Sequence, residues 1–208
     1  WGDMALKPDI AAPGVDIVAA RASGTGAGVP VNEWYTSLQG TSMATPHVAG
    51  AAAILAQAYP QWSPAELKAA LMSTAHDAGH TVYQQGAGRV DLARAVTQQV
   101  VATTGNLDYG LVEIPRDGEP EPAPITRTVS YRNLSDAPVT LSLSASLAAI
   151  DGDPVPAEAL TLPETVTVPE QQTVTVEVTL TVAGLERGRY SGAVVATDAT
   201  GAIEVNTP

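Results

Sequence analysis

The 208-residue chain contains no cysteine, which excludes disulfide bridges and thiolate metal sites and leaves the redox compartment undecided. Long apolar runs are missing too. The longest, residues 48–56, falls well short of the roughly 20 residues that a membrane-spanning helix needs, so no membrane partner is expected. Positive charge is scarce: 10 Lys and Arg stand against 22 Asp and Glu, for a formal charge of −12. Nucleic-acid binding depends on clustered cations that displace counterions, and no nucleic-acid partner is expected either. The chain opens on Trp1-Gly2-Asp3 with neither an initiating Met nor a charged-then-apolar leader, so its true start is expected upstream.

The acidity that is present is uneven. Residues 1–100 carry a net charge of −2 and residues 101–208 a net charge of −10, which suggests two units, the second with a solvated acidic surface. Texture changes at the same place. Before residue 100, short apolar runs alternate with helical patterns; after residue 106, runs rich in Val, Thr, Ser and Leu are separated by Pro, Gly and Asp. Residues 99–106 are the expected joint, with a first unit at 1–98 and a second at 106–208.

In the first unit, residues 9–12 and 16–20 read as short strands around the Pro13-Gly14 turn, and residues 33–39 as a third strand leading into Gly40. From Ser42 to Ala58 the chain is apolar or small on nearly every side, the pattern of a buried helix that Pro60 ends. Ser63-Pro64-Ala65-Glu66 is a capping box opening a second helix. Residues 86–89 form a turn, and Asp91 opens a last short helix ending near Thr97. In the second unit, Val174, Val176, Val178, Leu180 and Val182 alternate with polar residues, so one strand face is buried and the other wet. With residues 109–114, 129–131, 141–147, 159–162, 190–197 and 203–205 there are about seven strands, the number an immunoglobulin or fibronectin III-like sandwich needs.

Residues 40–50, Gly-Thr-Ser-Met-Ala-Thr-Pro-His-Val-Ala-Gly, carry the chemistry. A serine hydroxyl is a poor nucleophile unless a base can reach it and N–H donors face the developing oxyanion. The first turn of a helix supplies such donors and a positive dipole end around Ser42, and Gly40 permits close approach. Most serines ahead of an apolar helix merely cap it. Here the eleven-residue run, His and Pro included, resembles the serine segment of the subtilisin-like serine peptidases. Residues 7–14 resemble the strand and turn ahead of that segment in the family, and residues 86–91 its closing stretch, so the likeness covers about 5–97 in order.

This resemblance implies an α/β fold, the C-terminal portion of a parallel-sheet catalytic domain, followed by the all-β antiparallel sandwich. It implies a secreted endopeptidase that hydrolyses protein or peptide substrates through an acyl-enzyme on Ser42, with Ser42, Thr41 and Gly40 as oxyanion and support residues. Met43 would be the oxidation-sensitive neighbour. The family also requires an Asp, a His and an oxyanion Asn ahead of the serine. Asp3, Asp9, Asp16 and Asn32 lack their contexts, so these groups are expected in sequence upstream, the other half of the same catalytic domain. The chain alone is expected to have negligible activity.

His47, five positions after Ser42, lies roughly 140° round a helix from it and reads as a packed, hydrogen-bonded side chain. His76 and His80 read as surface residues, although a weak metal site from this pair stays open. No cofactor is required for the expected chemistry. The run at 151–154 and the acids Glu119 and Glu121 could hold Ca²⁺, but they form no recognisable ligand loop. Two other functions remain open. Gly40-x-Ser42-x-Ala44 is one residue from an α/β-hydrolase elbow, yet that fold places its acid and His after the serine, and no histidine follows His80. Alternatively the sandwich is an adhesion or docking module attached to a peptidase remnant.

Overall fold

A computed structural model describes residues 6–115, 120, 122–152 and 155–208. Three short strands come first: β1 (Ile17–Ala20), β2 (Val29–Pro30) and β3 (Tyr35–Leu38). They form an antiparallel sheet in the order β1-β3-β2, with Ile17 opposite Leu38 and Val29 opposite Ser37. The four-residue connection from β2 to β3 fits a hairpin, which makes that pair antiparallel. The expected strand at 9–12 is reduced to single bridges, Ile10 with Gly86 and Ala11 with Arg89, the latter parallel. Pro8 and Pro13 on either side lack the N–H groups that a longer ladder would need.

Four helices follow: α1 (Thr41–Ala58), α2 (Pro64–Ser73), α3 (Val82–Gln85) and α4 (Leu92–Thr97). α1 stops at Tyr59, because the residue ahead of a proline is pushed out of helical geometry. α2 starts at the capping box: Glu66 N–H donates to Ser63 Oγ at 3.3 Å, while the Glu66 carboxylate accepts from Ser63 N–H at 2.7 Å. A second box, Thr81 with Gln84, opens α3, and Asp91 accepts from Arg94 N–H to open α4. Leu55, Trp62, Ala70, Leu71 and Ala95 form the core between these helices. The Tyr59 and Trp62 rings stack there, 4.1 Å apart.

The rest of the chain is a two-sheet sandwich. Its strands are β4 (Val100–Ala102), β5 (Ile125–Asn133), β6 (Val139–Ala149), β7 (Leu160–Thr161), β8 (Thr165–Val168), β9 (Thr173–Leu180), β10 (Tyr190–Asp198) and β11 (Glu204–Thr207). The sheets run β11-β10-β6-β8 and β4-β5-β9-β7, with every pairing antiparallel. Alternation explains the faces of β9: Val176, Val178 and Leu180 are buried while Thr175 and Glu177 are exposed. Val129, Tyr131, Leu141, Val168, Val194 and Val205 complete the core.

Two differences from the sequence reading stand out. Residues 109–114 form no ladder. Gly110 has φ 67°, and its N–H is drawn to the Asp108 carboxylate at 2.7 Å, so the backbone turns where a strand would have continued. Tyr109, Val112 and Ile114 instead pack against Leu180 and Leu185. The expected joint at 99–106 contains β4, whose side chains alternate between two interiors. Val100 and Ala102 lie in the sandwich core and Val101 in the helical core.

Candidate active site

Ser42 is the second residue of α1 and is exposed. No carbonyl lies four residues back within the helix to receive its N–H, so that donor remains available at the helix end. Gly40, immediately before the helix, has φ 137°, a conformation glycine adopts far more readily than other residues. Its N–H donates to Gly14 O at 2.7 Å. A Cβ on Gly14 would lie 2.8 Å from Gly40 O and 3.3 Å from the Ala44 Cβ. The Pro13-Gly14 turn thus presses directly on the loop that presents the serine.

Within the first turns, Thr45 Oγ1 donates to Thr41 O at 2.8 Å. Pro46 sits inside the helix, one turn beyond Ser42. It has no N–H to give the Ser42 carbonyl, and its ring crowds that oxygen, which loosens the backbone at the serine. The Ser42 hydroxyl makes no hydrogen bond among the described residues. His47 lies one turn after Met43 and directs Nδ1 to the Met43 carbonyl at 2.8 Å. Its ring is exposed rather than packed, and it is engaged away from Ser42.

The other candidate side chains are occupied elsewhere. Asp9 pairs with Lys7 at 2.8 Å and Lys68 at 3.0 Å. Partial burial pulls its carboxyl upward, but the hydrogen bonds and charges of these two lysines outweigh that and hold it below the ordinary carboxylate range. Asn32 turns back on its own loop, accepting from Trp34 and Tyr35 N–H at 2.8 and 2.9 Å. Asp16 has φ 54° and lies in the turn ahead of β1. His76 and His80 are exposed. Asp77 between them accepts from Gly79 N–H and Gln85 Nε2, which hold its carboxyl low. Among the described residues no group of three His, Asp or Glu could hold a metal ion. Asp3, Glu119, Glu121 and the pair 153–154 lie outside the described residues.

The apolar helix predicted to be buried all round is not covered that way within this chain. Only Ala51 and Leu55 of α1 are buried; α2 and α4 cover one side. Ile54 is half exposed, and Val15, Val18, Val29, Val31 and Trp34 are each more than half exposed. The strands ahead of α1 and α1 itself therefore leave several large apolar side chains exposed. A recess of about 460 Å³ lies elsewhere, between the sandwich and residues 6–7 and 82–83, walled by Tyr83, Tyr109, Leu111, Val178 and Tyr190. Ser42, Thr41 and Gly40 take no part in it.

The brace from Gly14 onto Gly40 was not evident in the sequence, although the Pro13-Gly14 turn was. A turn residue shows that the chain bends, but not what the bend touches. The same holds for residues 86–90, which thread between residues 9–11 and His76. Ala87 N–H donates to Asp9 O, Ala11 N–H to Gly88 O, Val90 N–H to Ala11 O, and Arg89 and His76 exchange two bonds.

Residues 1–89 match the Subtilase family. The minor extracellular protease Vpr of Bacillus subtilis (strain 168) is 40% identical over 116 residues, covering 50% of this chain and 13% of that protein. The Arabidopsis thaliana subtilisin-like protease SBT1.6 is 40% identical over 122 residues, 50% of this chain and 16% of its own length. A second Arabidopsis thaliana protease, SBT2.6, reaches 53% over 70 residues, 33% of this chain and 9% of that one. The chain thus spans less than a fifth of each of these relatives. A PapD-like domain of human CEP192 overlaps 53% of this chain and 81% of its own with 16% identity and a TM-score of 0.37, too loose a likeness to carry any argument. No helix of the described residues is long and apolar enough to cross a membrane. The part of the chain that is similar to the Subtilase family, residues 1–89, is joined to an antiparallel β-sandwich.

Proposed function

We propose that this chain is part of a secreted serine endopeptidase in which Ser42 is the nucleophile. The observation that carries the reading is the placement of Ser42: an exposed hydroxyl at the amino end of α1, braced through Gly40 and Gly14. An imidazole from the upstream half of the same catalytic domain takes the Ser42 proton as Oγ attacks the scissile carbonyl. The tetrahedral oxyanion receives the Ser42 N–H and one upstream donor, an arrangement that stabilises charge only as it develops. Collapse expels the amine with the proton from the imidazole, and water then releases the acyl group from Oγ. Thr41 and Gly40 support the loop.

The upstream half would also cover Ile54, Val18, Val29 and Trp34, which explains why a helix so rich in small and apolar residues has only two buried members. Secretion is supported by the extracellular relative.

The test is covalent labelling. A polypeptide extended upstream through the matching Asp, His and Asn should react with a fluorophosphonate probe at Ser42, and Ser42→Ala should abolish both labelling and peptide hydrolysis. The 208-residue chain alone should label at least 1000-fold more slowly. Undiminished hydrolysis by the Ser42→Ala form would end the proposal.

A further inference from the structure

The last strand of the sandwich faces two ways. Along β11, Val205 and Thr207 point into the sandwich and are buried, while Glu204 and Asn206 alternate to the opposite side. That side meets the first unit. Glu204 offers its carbonyl to Arg94 Nη2 at 2.7 Å and Gln98 Nε2 at 2.9 Å. Asn206 Nδ2 donates to Ala87 O at 3.0 Å, although the two residues are 119 positions apart in the chain.

Ala87 belongs to a stretch that cannot hold its own shape. Residues 86–90 have no helix or extended ladder of their own, and the stretch contains two glycines at φ 63° and 126°, the residues with most freedom to lose. Its conformation is fixed from outside. On one side lies the 9–11 backbone, so close that a Cβ on Gly86 would come 2.4 Å from Asp9. On another lies His76, 2.4 Å from a Cβ on Gly88. The third contact is Asn206. Its amide is kept at a cost: Oδ1 is buried and finds no partner among the described residues, an imbalance that calls for an explanation.

We infer that Asn206 is a positioning residue for the serine loop, reaching it through alternating hydrogen bonds and short covalent stretches of backbone. The path runs from Asn206 to Ala87, from Ala87 N–H to Asp9 O and from Ala11 N–H to Gly88 O. It then follows the chain through Pro13 to Gly14, whose carbonyl holds the Gly40 N–H two residues before Ser42. The sandwich therefore acts on the geometry of the serine without touching it. The mechanical coupling stands by itself; its catalytic consequence rests on the reading of Ser42 as nucleophile.

Hydrogen exchange on the 208-residue chain tests the coupling. Asn206→Leu keeps the size of the side chain and removes both the donor and the orphan oxygen, so the sandwich should be as stable as before. The amides of Ala87, Ala11, Val90 and Gly40 should nevertheless exchange about tenfold faster, while amides in the β6–β10 ladder keep their protection. Asn206→Gln, which retains the N–H donor, should restore slow exchange. Unchanged rates at Ala11 and Gly40, or a uniform loss of protection throughout the sandwich, would overturn the coupling. In the upstream-extended polypeptide, Asn206→Leu should lower kcat several-fold and leave KM unchanged. If exchange behaves as expected but Ser42 never labels in the unsubstituted protein, the catalytic consequence fails and the coupling remains.

Discussion

Tyr131 is the largest side chain in the sandwich with no exposure, and its hydroxyl has no partner among the described residues. Burial pushes the phenol far above its ordinary range, so it stays neutral at any ordinary pH. A buried hydroxyl without a bond costs stability relative to the bare ring. Tyr131→Phe should therefore leave urea stability unchanged or raise it by up to about 1 kcal/mol; a clear loss would reveal a partner for the oxygen. At the same scale, Ser42 combines exposure with a loosened backbone. Pro46 gives the Ser42 carbonyl no helical N–H, and Gly40 departs from helical geometry just before it. Single residues with such opposing local demands are where function tends to sit.

Among the elements, α2 is the one whose boundaries the sequence states most plainly. Ser63, Pro64 and Glu66 each supply part of a helix start, and all three do so in the fold. Ser63→Ala should cost about 1 kcal/mol in a thermal melt, with a loss near zero counting against the capping role. Glu66 also reaches Arg132 on β5 at 2.6 Å, a pairing across 66 positions that spacing could not reveal. The capping box opening α3, Thr81 with Gln84, follows the same rule but went unread, because a helix of only four residues shows no period after it. Strand β9 was legible because Val and Thr alternate strictly. β4 and β8 were not, since three or four residues show too little period to read. Residues 109–114 misled because their apolar content suits a strand, while Asp108 and Gly110 turn the backbone. The serine segment at 40–50 was legible only through its family resemblance. Its brace at Gly14 was not, because contact between distant turns leaves no local pattern.

For the whole molecule, acid should loosen the fold in a defined direction. Backbone and hydroxyl hydrogen bonds from Ser63 hold Glu66 low, and Gly79 and Gln85 do the same for Asp77. The lysines on Asp9 prevail over its burial. A carboxyl lowered by folding contributes stability above its ordinary value, and that contribution disappears as pH falls through the lowered one. The melting temperature should be nearly flat from neutral pH to about 5 and fall steadily below about 4; a maximum at acid pH would contradict the ion pairing. Val100 and Ala102 fill the sandwich core, so residues 106–208 alone lack part of it. A chain of 99–208 should exceed one of 106–208 by at least about 2 kcal/mol in urea unfolding. Equal midpoints would mean that β4 is dispensable. The two-sided character of β4 has one more consequence. Adding or removing a single residue between Gln99 and Thr103 would reverse its alternation, sending Val101 toward the sandwich and its two neighbours toward the helices. The tether joining the helical unit and the sandwich is therefore bound by parity: lineages, or engineers, exchanging one half for another can vary its length by pairs of residues but not by one.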